Sequence, residues 1–161
     1  MTDGLFVTLT LLAALGSGLI AGVFFAFSTF VMAAFARLPA ATGAVAMRSV
    51  NRTVLNPLFL SVFGGTALLS AVLAVLSVVS WPDHGGGWSL AAGVSYVAGS
   101  FVLTAVVHVP RNEALGRIDP DSGEAAAFWA RYVPVWTAWN HVRTLASLAA
   151  CALFVVALVT R

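Results

Sequence analysis

Long apolar runs alternate along this chain with short polar punctuation. Residues 4–36 hold no charged side chain, and neither do 53–82, 85–110 or 144–160. About 20 predominantly apolar residues carry a helix across the roughly 30 Å hydrocarbon core of a bilayer, so the first three runs qualify outright. The fourth is short. Residues 135–143 can lengthen it toward the interface, with Trp136 and Trp139 suited to headgroup depth. The pattern predicts an all-α fold, a four-transmembrane-helix bundle with short cytoplasmic helices. Its spans fall over 4–36, 53–82, 88–110 and 135–160, in a single integral membrane domain. The first run does not read as a cleaved leader. It begins with Asp3 rather than a basic segment, and it far exceeds the roughly 7–15 apolar residues of a signal sequence.

Two connections have patterning of their own. Residues 41–52 read as a short helix feeding directly into span two. Pro110 ends span three. Asp121, with Glu124 three positions on, resembles a capping box and opens a helix over 125–131, which Pro134 kinks or restarts as span four. No internal repeat, low-complexity tract or long linker divides the chain.

Composition narrows the class. Only 9% of the 161 residues are charged and 60% are apolar, whereas a soluble domain carries about 25% charged residues. Too few charges remain to coat a water-facing surface, which excludes a soluble enzyme, a nucleic-acid reader and a disordered tail. The formal net charge of +2 comes from eight arginines and no lysine. Arg37, Arg48 and Arg52 lie between spans one and two; Arg111, Arg117, Arg131 and Arg143 lie between three and four. The opposite side holds the N-terminus, the turn at 81–88 and Arg161. Arginine bias of this kind sets orientation, so both longer connections are expected in the cytoplasm and both termini outside. Missing lysine and abundant alanine, valine and arginine fit a GC-rich bacterial genome, hence a bacterial inner membrane. The lone Cys151 forms no internal disulfide.

Within span one, Ala14, Gly18, Gly22 and Ala26 make a small-residue ridge, on which another backbone can approach closely in lipid. That neighbour is either a helix of the same bundle or one of a second copy. Phe24, Phe25, Phe27, Phe30 and Phe35 are either lipid-facing bulk or an apolar wall for a flat aromatic ligand.

Polar side chains at membrane depth cost several kcal/mol unless paired and so mark candidate sites. Arg48, Arg52 and Asn56, spaced four apart, share one helical face, with Asn51 beside them. Either the arginines bind lipid phosphate while Asn56 caps a helix, or the group forms a cationic mouth for an anionic or phenolic ligand. His108 closes span three beside Arg111, Asn112 and Glu113; it is either a buried, hydrogen-bonded histidine or a ligand contact. The richest group opens span four. There Trp136, Asn140 and Arg143 share a face continued by Thr144, Ser147 and Cys151. An interfacial belt accounts for Trp129, Trp136, Trp139 and Arg143, but has no use for the amide–imidazole pair Asn140–His141. No HExxH, paired-cysteine site, P-loop or GxGxxG occurs. The three histidines, one of them (His84) in the opposite turn, cannot build a three-histidine metal site. A haem held by one histidine, His141, with arginines on its propionates, stays open.

The strings AGVFFAFSTFVM (21–32), ARLP (36–39), NRTVLNP (51–57), VPRNEAL (109–115) and WTAWNHVRT (136–144) resemble the anthrone oxygenase-like family of small four-helix membrane proteins. The resemblance covers nearly the whole chain, with the motifs in order. It implies oxidation of an anthrone to an anthraquinone by molecular oxygen, and its polar motifs fall on Asn51, Asn56, Asn112, Trp139, Asn140, His141 and Arg143. His108 departs from the pattern, where asparagine is more usual. On this reading His141 takes the acidified CH proton of a planar aromatic substrate, while Asn140 and Arg143 stabilise the enolate. Asn51, Arg52, Asn56, Asn112, Trp136, Trp139 and His108 bind the substrate, and no cofactor is required. The alternatives are a haem-binding redox protein with His141 as axial ligand, and a non-catalytic membrane subunit docking through Gly18 and Gly22. The expected partners are the lipid bilayer and a small apolar aromatic ligand, with no nucleic acid.

Overall fold

A computed structural model describes residues 3–79 and 86–160; His84 and most of the turn at 81–88 lie outside them. Among the described residues five helices follow one another: α1 (Gly4–Ala36), α2 (Ala40–Thr53), α3 (Pro57–Val79), α4 (Gly86–Arg117) and α5 (Ala125–Val159). No strand occurs among the described residues. All but α2 are long and apolar enough to cross a membrane. The chain is therefore an all-helical, four-span integral membrane protein, as its pattern of apolar runs predicts.

The differences gather at prolines. Residue 56 precedes Pro57 and is steered away from helical geometry, so α2 stops at Thr53 instead of feeding into α3. Asn56 caps α3 instead: its Oδ1 accepts the Phe59 N–H at 3.0 Å and its Nδ2 donates to the Thr53 carbonyl at 2.9 Å. It does not continue the face of Arg48 and Arg52. Pro110 does not end α4. Two π-helical turns, Val97–Val102 and Thr104–His108, precede it, and α-helical winding resumes at Val109. Pro110 then sits in a first turn, where a missing N–H breaks no bond. The helix α5 runs unbroken through Pro134; neighbouring groups in a membrane bundle re-satisfy what such a proline frees. No capping box opens α5, because Glu124 makes no side-chain cap. Asp119 orders that turn, accepting the Asp121 N–H at 3.1 Å through Oδ1.

Packing leaves one end of the bundle open. α3 runs against the Gly86–Tyr96 part of α4 and diverges from its Thr104–His108 turn and beyond. Close approach at the tight end depends on Gly93, where a Cβ would lie 2.5 Å from the Ser70 carbonyl oxygen. α4 stays with α5 throughout, joined by Ser95 Oγ donating to the Ala146 carbonyl at 2.9 Å and Ser147 to Ser100 at 3.0 Å. α2 crosses the splayed end. It rests on α1 and α5 at Gly43, where a Cβ would meet the Phe35 carbonyl at 2.6 Å and the Trp129 ring at 3.0 Å. Met47, Leu115, Trp129 and Tyr132 form a buried cluster beneath it. The small-residue ridge is partly spent inside the chain, since Gly18 faces Cys151 of α5; Gly22 is exposed with open space beside it.

Candidate functional site

Between the splayed α3 and α4, under α2, lies a cavity of about 790 Å³. Its deep end is aromatic. Phe63 stands 6.2 Å from Phe24, 5.7 Å from Phe59 and 5.4 Å from Phe101, ring centre to ring centre, an arrangement fixed by Tyr96 donating to the Phe63 carbonyl at 3.3 Å. The other end is formed by Met47, Arg48, Asn51 and Arg52 of α2. One wall is polar: Thr104, His108 and Asn112 from α4, with Trp136 and Arg143 from α5.

Arg143 is the most unusual member of that wall. It is 5% exposed within a helix long and apolar enough to cross the membrane. The ion pair found among the described residues, Arg117 with Glu113 at 3.3 Å, lies at the surface, so no carboxylate there neutralises Arg143. The guanidinium is held by neutral groups: Nη1 donates to Thr104 Oγ1 at 3.0 Å and Nη2 to Asn140 Oδ1 at 2.5 Å. It also stacks 4.1 Å over the Phe24 ring and 5.4 Å from that of Trp136, where the negative ring faces attract a cation. Its Nε has no partner.

Asn140 stands behind this wall. Fully buried, it donates Nδ2 to the Phe24 carbonyl and to Ser28 Oγ, both at 2.7 Å, tying α5 to α1 while its oxygen aims the guanidinium. Trp136 is fixed similarly, its Nε1 donating to Asn112 Oδ1 at 3.0 Å beside the Tyr132 hydroxyl at 2.8 Å. His108 meets Trp136 edge-on, 5.0 Å between centres. It is 1% exposed, and neither ring nitrogen has a hydrogen-bond partner; the Trp139 main chain faces the ring without completing a bond. Both ring nitrogens are therefore free to bond a ligand.

Of the residues expected at the site, Asn51, Arg52, His108, Asn112, Trp136 and Arg143 line the cavity, and Asn140 supports it. Three are not brought there. His141 is exposed on the outer face of α5, Trp139 is 39% exposed beside it, and Asn56 is taken up by its cap. The reason is helical geometry: successive residues point about 100° apart, so burying Asn140 turns His141 aside. A planar prosthetic group in this cavity would not be ligated by His141. The apolar wall offered by the sequence is present in part, since Phe24 and Phe27 line the cavity; Phe59, Phe63, Phe101 and Thr104 went unrecognised, although Thr104, His108 and Asn112 repeat every four residues.

Fold and site together define a small four-span membrane protein with an aromatic slot and a buried cation along one wall. The profile of the anthrone oxygenase family matches residues 58–153, more than half of the chain, and the chain belongs to that family. No curated protein and no solved structure matches it.

Proposed function

We propose that the protein is a membrane-embedded oxidoreductase of the oxygenase type, acting on a small aromatic, anthrone- or quinone-like substrate bound in the cavity. One observation carries the reading. An apolar, aromatic-ended slot has on a single wall two buried polar groups with unused hydrogen-bonding capacity, His108 and Arg143. Unpaired polar groups are costly in a bilayer, and a ligand bearing one oxygen and one acidic CH would use both. The flat rings of an anthrone suit Phe24, Phe63 and Phe101, and its carbonyl oxygen suits Arg143.

In the chemistry this implies, His108 accepts a proton from the methylene flanked by the aromatic rings. Arg143, pre-aimed by Asn140 and Thr104, stabilises the enolate oxygen that develops. The enolate is electron-rich and passes its electrons to molecular oxygen. Each anthrone consumes one dioxygen; its methylene loses both hydrogens, gains a carbonyl oxygen, and one water leaves. The residues supply the proton transfer and the charge stabilisation, and oxygen is the oxidant. Seven of the eight arginines, Arg37 to Arg52 and Arg111 to Arg143, sit at the α2 end, so we place that end in the cytoplasm and both termini outside. A bacterial inner membrane suits the lysine-free composition.

The test is oxygen uptake by detergent-purified protein given anthrone. Uptake matched one-to-one by anthraquinone, and lost in His108→Ala, is the expected result. A protein that takes up no oxygen above the protein-free rate, or a His108→Ala variant as fast as the parent, overturns the reading.

A further inference from the structure

Several apolar side chains that line the cavity also lie on the outer surface, and they fall on two facing edges. On one side these are Leu55, just before α3, and Leu60 of α3; on α4 they are Phe101, Ala105 and Val109. The last three recur every four residues and so form one strip. Leu60 is 46% exposed, Phe101 39% and Val109 44%, within segments that cross the membrane. An exposed apolar rim of this kind on membrane-crossing helices suits contact with hydrocarbon.

The α2 end carries the polar part of the rim, with Arg52 and Glu113 both lining the cavity and exposed, and it is narrowed from within. Arg48 Nε donates to the Leu115 carbonyl at 2.8 Å, tying α2 to the end of α4. Met47 and Leu115, each 1% exposed, plug the space beneath. Gly43 seats the same helix against α1 and α5.

We infer that the ligand reaches the cavity sideways, from the hydrocarbon of the bilayer, through the gap between α3 and α4. The ligand class follows: a lipid-dissolved, flat, uncharged molecule that ionises only after it has passed Leu60 and Ala105, since a charged one would have to cross lipid to reach the gap. This rests on reading the cavity as the ligand site, but not on any turnover. Ala105 is the smallest side chain on the α4 edge, and a larger residue there fills the gap.

The probe is the lipid itself. The whole protein is reconstituted in phosphatidylcholine vesicles bearing a diazirine on the acyl chain, irradiated, and its labelled residues are mapped by mass spectrometry. Label is expected on Phe63 or Met47, both buried except toward the cavity, and on the outward Leu145 and Leu148. Ala105→Phe should lose the interior label and keep the outer one, while Leu60→Ala, which widens the gap, should raise it. Should a variant fail to insert, its outer label disappears too, and Ala105→Leu replaces it. Outer label without interior label in the parent protein overturns the route, as does interior label indifferent to both substitutions. A second chain covering the gap would give the former result. Interior labelling in a protein that never oxidises anthrone would discard the proposed activity and leave the route standing; oxidation without interior labelling would do the reverse.

Discussion

At the scale of single residues, the decisive fact is that neighbours in sequence are not neighbours on a helix. Asn140 and His141 read as an amide–imidazole pair, yet a helix separates them by about 100°, and only Asn140 faces inward. The base we propose is His108, whose position the family pattern would have discounted. His141→Ala should therefore leave oxygen uptake within about twofold of the parent, against a loss on the order of a hundredfold or more expected when a general base is removed; equal losses at both positions would refute the assignment. Asn140 makes a different prediction, because it bonds α1 and aims Arg143 at once. Hydrogen bonds between membrane helices contribute about 1–2 kcal/mol each at most. Asn140→Leu should lower stability by about that amount, measured by unfolding in mixed detergent micelles, and should cost turnover as well. The inward stripe of Trp136, Asn140, Arg143, Thr144 and Ser147 was legible from spacing alone, because α5 keeps regular winding through it. His108 was legible only as one of two alternatives, since nothing local says whether a buried imidazole has a partner.

At the scale of elements, the spans were legible and their ends were not. Apolar run length fixes that a helix crosses the membrane, but a proline stops a helix in one register and is harmless in another. Pro57 makes Asn56 a cap, whereas Pro110 falls into a fresh first turn because π-helical winding over Thr104–His108 resets the count. Such turns recur at functional sites, and these two place Phe101, Thr104 and His108 along the cavity; no residue type in the sequence announces them. The cap gives a measurable consequence. Asn56→Ala should destabilise the protein by about 1 kcal/mol, the usual worth of such a residue, while Asn56→Asp or Asn56→Ser should restore most of it. If Asn56 were instead a substrate donor, Asn56→Ser would preserve stability but forfeit turnover, so measuring melting temperature and oxygen uptake on the same variants separates the two roles.

At the scale of the whole molecule, the site exists because two spans touch at one end and part at the other. The hinge of that shape is the contact of Gly93 with Ser70, too tight for any side chain. From the sequence, Gly93 is one of fourteen glycines with nothing to mark it; what distinguishes it is the opposing backbone on another helix, which no local pattern contains. Forcing a side chain into a packed contact typically costs about 1–3 kcal/mol, and here the strain has a direction. Gly93→Leu must push α3 away from α4 at their closed end, converting a wedge-shaped gap into parallel walls and letting lipid replace the aromatic contacts of Phe63. Gly87→Leu, on the same helix but with open space around it, should do neither. We therefore expect Gly93→Leu to lower the melting temperature and weaken anthrone binding together, read as loss of tryptophan quenching, with Gly87→Leu matching the parent in both. A Gly93→Leu protein that melts early yet binds normally would mean that the cavity is shaped by α1, α2 and α5 alone, and that the parting of α3 and α4 is incidental to it.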